Sequence, residues 1–109
     1  MGFFNFFQKT GINDGVDEFK STPGAVLLDV RNPDEYDAAH IPKATNVPLG
    51  EIKRVLELYP DKDTPFYVYC VSGFRSKRAV EFLITEGYTH VNDIGGITRY
   101  SGSVERAKY

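Results

Sequence analysis

Cys70 is the only cysteine in the chain, and its neighbours suit a nucleophile. It closes the apolar run Phe66-Tyr67-Val68-Tyr69, which reads as a strand. The loop Val71-Ser72-Gly73-Phe74-Arg75 follows, and a helical pattern opens at Ser76. A thiol at a strand-to-helix turn lies beneath backbone N–H groups and a helix N-terminus. Both favour negative charge, and so they stabilise the thiolate, the reactive form of cysteine. Each loop residue adds something to this setting. Gly73 lets the chain curl tightly, and Ser72 offers a hydroxyl donor. Arg75 carries a permanent fork of donors suited to a tetrahedral oxyanion. From Ser76 onward, free helix N–H groups point back at the loop, and Lys77 and Arg78 add positive potential. The chemistry predicted is attack by Cys70 on a small bound anion.

Several other chemistries fit poorly. One cysteine and two distant histidines make a weak ligand set, so no metal is expected, and no cofactor is called for. With no second cysteine, an internal disulfide or a dithiol mechanism is excluded within the chain, and a reducing, cytoplasmic setting is favoured. The net charge of -2 gives no attraction to nucleic acid. The start, Met1-Gly2-Phe3-Phe4-Asn5-Phe6-Phe7, lacks a basic region and a long apolar run. It reads as neither a signal peptide nor a spanning helix, and no membrane contact is expected. Its phenylalanines are expected to pack on the domain. The oligomeric state stays open, with this cluster as the favoured contact.

The elements that must position Cys70 alternate between strand and helix. Val26 to Val30 is a buried strand, and Thr45 to Val47 a weaker one closed by Pro48. Asn32-Pro33-Asp34-Glu35 starts a short helix that ends near Ala39. Ile52, Val55, Leu56 and Tyr59 recur at helical spacing before Pro60. Ala79, Val80, Leu83 and Ile84 stripe the helix after the loop, and Gly87 stops it. Asp14 to Lys20 reads as an early helix, and His90 to Asp93 as a last short strand. This alternation predicts an α/β fold with a mainly parallel sheet. Ligands bind beyond the carboxyl ends of such strands, where Cys70 lies.

These residues together resemble the rhodanese family of sulfurtransferases. Leu28-Asp29-Val30-Arg31 with Glu35-Tyr36 is similar to its first signature. His40-Ile41-Pro42, with Ala44, Asn46 and Pro48, is similar to the next. Cys70 through Ser76 resembles the active-site loop, and Gly95-Gly96 the final turn. The matches follow family order from Ala25 to Tyr100. The resemblance implies a five-stranded, mostly parallel sheet with helices on both faces. It divides the chain into a Phe-rich segment at 1–11, a single rhodanese domain at 12–102 and a C-terminal tail at 103–109. It also implies that Cys70 accepts sulfane sulfur as a persulfide, from thiosulfate or another small anionic donor. A thiol, cyanide or protein acceptor then takes the sulfur. Val71, Ser72, Gly73, Phe74, Arg75 and Ser76 would bind the donor and persulfide, with Asp29 and Arg31 supporting the loop from below.

Loop length bears on the reaction. Four residues separate Cys70 from Arg75. Dual-specificity phosphatases and arsenate reductases have one residue more, giving a wider cradle for phosphate or arsenate. The shorter loop favours sulfur transfer over those activities. A persulfide carrier with little turnover is the other alternative. Three positions depart from the family pattern. Ala39 and Lys43 stand where glycines are common, and Tyr100 stands where tryptophan is common. If Lys43 takes a left-handed conformation, the cost is roughly 1 kcal/mol. His40 is read as a structural hydrogen-bonding residue of a turn and Tyr67 and Tyr69 as sheet packing. His90 is given no role. Phe74 either folds inward or forms an apolar rim.

Overall fold

A computed structural model describes residues 6–107, with side chains from Lys9 onward. The expected packing of the Phe3 to Phe7 side chains therefore falls outside the described residues. One sheet runs in the order β1-β5-β4-β2-β3. Its strands are β1 (Phe6–Lys9), β2 (Val26–Asp29), β3 (Thr45–Asn46), β4 (Phe66–Cys70) and β5 (His90–Gly96). The neighbouring strands pair in parallel throughout. The helices are α1 (Ile12–Lys20), α2 (Pro33–Ala38), α3 (Arg54–Leu58) and α4 (Phe74–Thr85).

Strand alternation explains how both faces of the sheet are covered. All five residues of β4 are buried, and successive side chains point to opposite faces. Phe66, Val68 and Cys70 join one apolar cluster with Leu28 and Val30, covered by Val55 of α3 and by Ala79, Val80 and Leu83 of α4. Tyr67 and Tyr69 join the other with Leu27, covered by Ile12 and Val16 of α1 and by Ile41. Helices therefore lie on both faces, as the family resemblance implies. Tyr67 and Tyr69 serve the packing expected of them. The Tyr69 hydroxyl also accepts the Ile41 N–H at 3.1 Å, and burial pushes its phenol pKa up.

Several boundaries differ from expectation, each for a local reason. Helix α4 begins at Phe74 rather than Ser76, because Gly73 at φ 109° turns the chain into the helix early. Few other residues tolerate that angle. Strand β5 extends past Asp93 to Gly96, and its register against β4 shifts between Val68 and Tyr69, with Ile94 as the extra residue of β5. The Ile52 to Tyr59 stretch holds a shorter helix than its pattern spans: residues 52 and 53 form a turn, preceded by a 3-10 turn at Leu49–Glu51, and only Arg54–Leu58 is α-helical. Strand β1 had no counterpart in the sequence pattern. It pairs with β5 at the sheet edge, Phe6 opposite His90 and Lys9 opposite Asp93. Lys43 does take the left-handed conformation, at φ 73°, whereas Ala39 at φ −169° is ordinary extended backbone. Downstream, Glu105 exchanges backbone hydrogen bonds with His40 at 2.8 and 2.9 Å, and the Ala107 N–H reaches the Asp37 carbonyl. Among the described residues, no helix is long and apolar enough to cross a membrane.

Candidate functional site

Cys70 ends β4 at the carboxyl edge of the sheet and is buried, at 1 % exposure. Its Sγ accepts the Gly73 N–H at 3.0 Å and the Ser76 N–H at 3.3 Å. Helix geometry leaves the first N–H groups of α4 without partners inside the helix, and the sulfur takes one of them. Among the described residues, these two amides are the backbone donors that reach Sγ. A thiolate here would receive two hydrogen bonds and the positive end of a twelve-residue helix.

The rest of the loop is held from outside. The Val71 carbonyl accepts the Thr98 N–H at 3.3 Å and the Thr98 hydroxyl at 3.2 Å. Gly96 packs so closely that a Cβ there would lie 2.2 Å from that carbonyl oxygen, so β5 presses directly on the loop. Ser76 is buried, and its hydroxyl donates to Asp93 Oδ1 at 2.9 Å and to the Gly73 carbonyl at 3.1 Å. Asp93 Oδ1 also accepts the Gly95 N–H at 3.0 Å. Asp93 thus ties the end of β5 to the start of α4. The sequence reading placed it only in a strand, although an acid before Gly95-Gly96 was the available signal. Phe74 is 82 % exposed, which overturns the reading that it folds inward. Ser72 lines a neighbouring pocket with Gly73.

Arg75 arrives already engaged. Its guanidinium donates to both carboxylate oxygens of Glu35 on α2, at 2.7 and 3.0 Å. Glu35 also accepts the Asn32 N–H at 2.8 Å, closing the first turn of α2. The Arg75 hydrogen bonds hold the Glu35 carboxyl down at about 2, helped by the Asn32 amide. Glu35 in turn raises the pKa of Arg75. Glu35 is the second site residue whose role the sequence reading missed; it was read only as a helix-start acid and part of the first signature.

Asp29 and Arg31 form a separate brace. Arg31 donates to both Asp29 oxygens at 2.7 to 3.1 Å and to the Ala39 carbonyl at 2.6 Å. Both residues are buried. Their backbone carbonyls accept the Asn46 amide, and the Arg31 guanidinium lies 5.6 Å from the Tyr69 ring centre. The pair joins β2 to β3 and to the C-terminal end of α2, the helix that carries Glu35. His40 stacks on Tyr36 at 3.8 Å, and its Nδ1 lies 2.8 Å from the Tyr36 carbonyl, which is a structural role. The described residues contain no cluster of three or more His, Cys, Asp or Glu able to hold a metal.

Comparison with known proteins meets this geometry. Residues 13–103 match the rhodanese-like domain. A thiosulfate sulfurtransferase of Escherichia coli, PspE, is 44% identical over 71 residues, covering 64% of this chain and 68% of that protein. A solved structure described as rhodanese with anions from E. coli shares 37% identity and a TM-score of 0.71, covering 76% of this chain and 99% of that one. A thiosulfate sulfurtransferase from Pseudomonas aeruginosa aligns at 28% identity and a TM-score of 0.77, over 92% of this chain and 20% of that one. The loop at Cys70, the parallel sheet beneath it and the matched span together place the chain in the rhodanese family.

Proposed function

We propose that this protein is a sulfurtransferase that works through a persulfide on Cys70. In the first step the Cys70 thiolate attacks the sulfane sulfur of thiosulfate or a related anionic donor. A new S–S bond forms, the donor S–S bond breaks, and its electron pair leaves with sulfite. In the second step a thiolate or cyanide attacks the outer sulfur. The S–S bond to Cys70 breaks, and its electron pair restores the thiolate. The reading rests most directly on the two amides that converge on Cys70 Sγ, which would hold negative charge on that sulfur before and after transfer. No acid–base residue is required, since a thiolate attacks and a stable anion leaves. A thiol cycling in this way suits a reducing compartment such as the cytoplasm.

The test is intact-protein mass spectrometry after incubation with thiosulfate, paired with sulfite release. The wild type is expected to gain about one sulfur mass, lost on reduction. Cys70→Ser is expected to gain none and release no sulfite, with its fold retained. Undiminished sulfite release by that variant would remove Cys70 from the mechanism. Turnover of a phosphoester exceeding that of thiosulfate would replace sulfur transfer with phosphatase chemistry.

A further inference from the structure

The cysteine loop has a second side. A pocket of about 340 Å³ lies against Ser72 and Gly73, walled by Gly95 and Gly96 of β5 and by the start of α1. Lys9, at the end of β1, and Arg99, just after β5, both line it. Both side chains are exposed, and neither forms an ion pair among the described residues. One carboxylate, Asp93, also lines the pocket, but its Oδ1 is engaged by Ser76 and Gly95. Two cations against one committed carboxylate leave the cavity locally positive on a chain whose net charge is -2.

Resting on the sulfur-transfer reading above, we propose that this pocket seats the sulfur acceptor, a small thiol bearing carboxylate groups. Its size separates it from the donor site. Thiosulfate needs only the loop amides and the Arg75 guanidinium, whereas a cavity of this volume suits a molecule of peptide size. With no second cysteine in this chain, the persulfide must be discharged by an outside acceptor. Lys9 and Arg99 would hold the acceptor carboxylates. Its thiol would then reach over Ser72 and Gly73 to the outer sulfur. There the acceptor thiolate bonds to that sulfur, the bond to Cys70 breaks, and Cys70 leaves as thiolate. These two cations are binding residues for the acceptor and play no part in loading.

Binding and transfer are measured separately. S-methylglutathione, which carries two carboxylates and no thiol, is titrated into the labelled protein. The expected amide shifts centre on Thr10, Gly11, Gly95 and Arg99, and the Lys9→Ser/Arg99→Ser double variant abolishes them. In discharge assays on the loaded protein, the double variant is expected to raise KM for glutathione at least tenfold. Its KM for uncharged 2-mercaptoethanol and its loading rate with thiosulfate stay unchanged. Shifts absent from these amides, shifts that persist in the double variant, or an unchanged glutathione KM would overturn the proposal. If S-methylglutathione binds as expected but the wild type never loads sulfur, the pocket stands as an anion site and the sulfur-transfer reading falls.

Discussion

Arg75 reaches the site with its fork committed to Glu35 at 2.7 and 3.0 Å. An anionic donor therefore meets a carboxylate beside the cation that should attract it. Glu35→Gln separates the two effects. Glutamine still caps the first turn of α2, because either side chain can accept the Asn32 N–H. The negative charge is lost while the helix start is kept. One unit charge several ångströms away in a wet site is worth roughly 1 kcal/mol. The KM for thiosulfate is expected to fall about fivefold, with kcat changed less, and the gain should shrink as salt is added. An unchanged KM would detach the Glu35–Arg75 pair from donor binding. At this scale the sequence was uneven. Cys70, Gly73 and Ser76 were legible because the site is contiguous there. The partners that hold Arg75 and Ser76 lie 40 and 17 residues away, and only the fold brings them in.

Among the elements, the start of α4 matters most to the chemistry. Its first turn supplies the Ser76 amide, and Gly73 before it supplies the other donor to Cys70. Gly73 does so at φ 109°, an angle that an added Cβ resists. Gly73→Ala is expected to cost about 1 to 2 kcal/mol, lowering Tm by roughly 4 to 8 °C per kcal/mol. Loading should suffer more. Displacing one hydrogen bond to a charged sulfur costs about 1.5 to 3 kcal/mol, so persulfide formation should slow about tenfold or more. A Tm loss with an unchanged loading rate would confine Gly73 to folding. The strands β2 and β4 were legible as short apolar runs of fixed face. Strand β1 was not, because a parallel edge strand of four residues is defined by a partner more than eighty positions away rather than by its own pattern. The early start of α4 was hidden for a different reason: its first residues, Phe74 and Arg75, break the apolar stripe that marks the rest.

At the scale of the whole molecule, the parallel order β1-β5-β4-β2-β3 gathers the strand ends that carry chemistry along one edge. That much follows from alternating strand and helix. What the pattern leaves out is how the surrounding pieces are joined there. Asp93 ties β5 to α4, and Glu35 ties α2 to α4. The second joint makes stability depend on pH in a defined direction. The Glu35 carboxyl sits at about 2 when folded, against an ordinary 4.5. The unfolded chain therefore binds more protons between these values, and protonation pulls the equilibrium toward unfolding. The stabilisation is fully present above about pH 4.5 and is lost as pH falls toward 2. Thermal unfolding of the wild type and of Glu35→Gln, measured from pH 6 down to 2, reads this directly. The wild type should be more stable at pH 6, and the two curves should converge on acidification, because the variant has no such proton to bind. A constant gap across that range would mean that the pair leaves acid stability untouched, and that α2 and α4 are held together by packing.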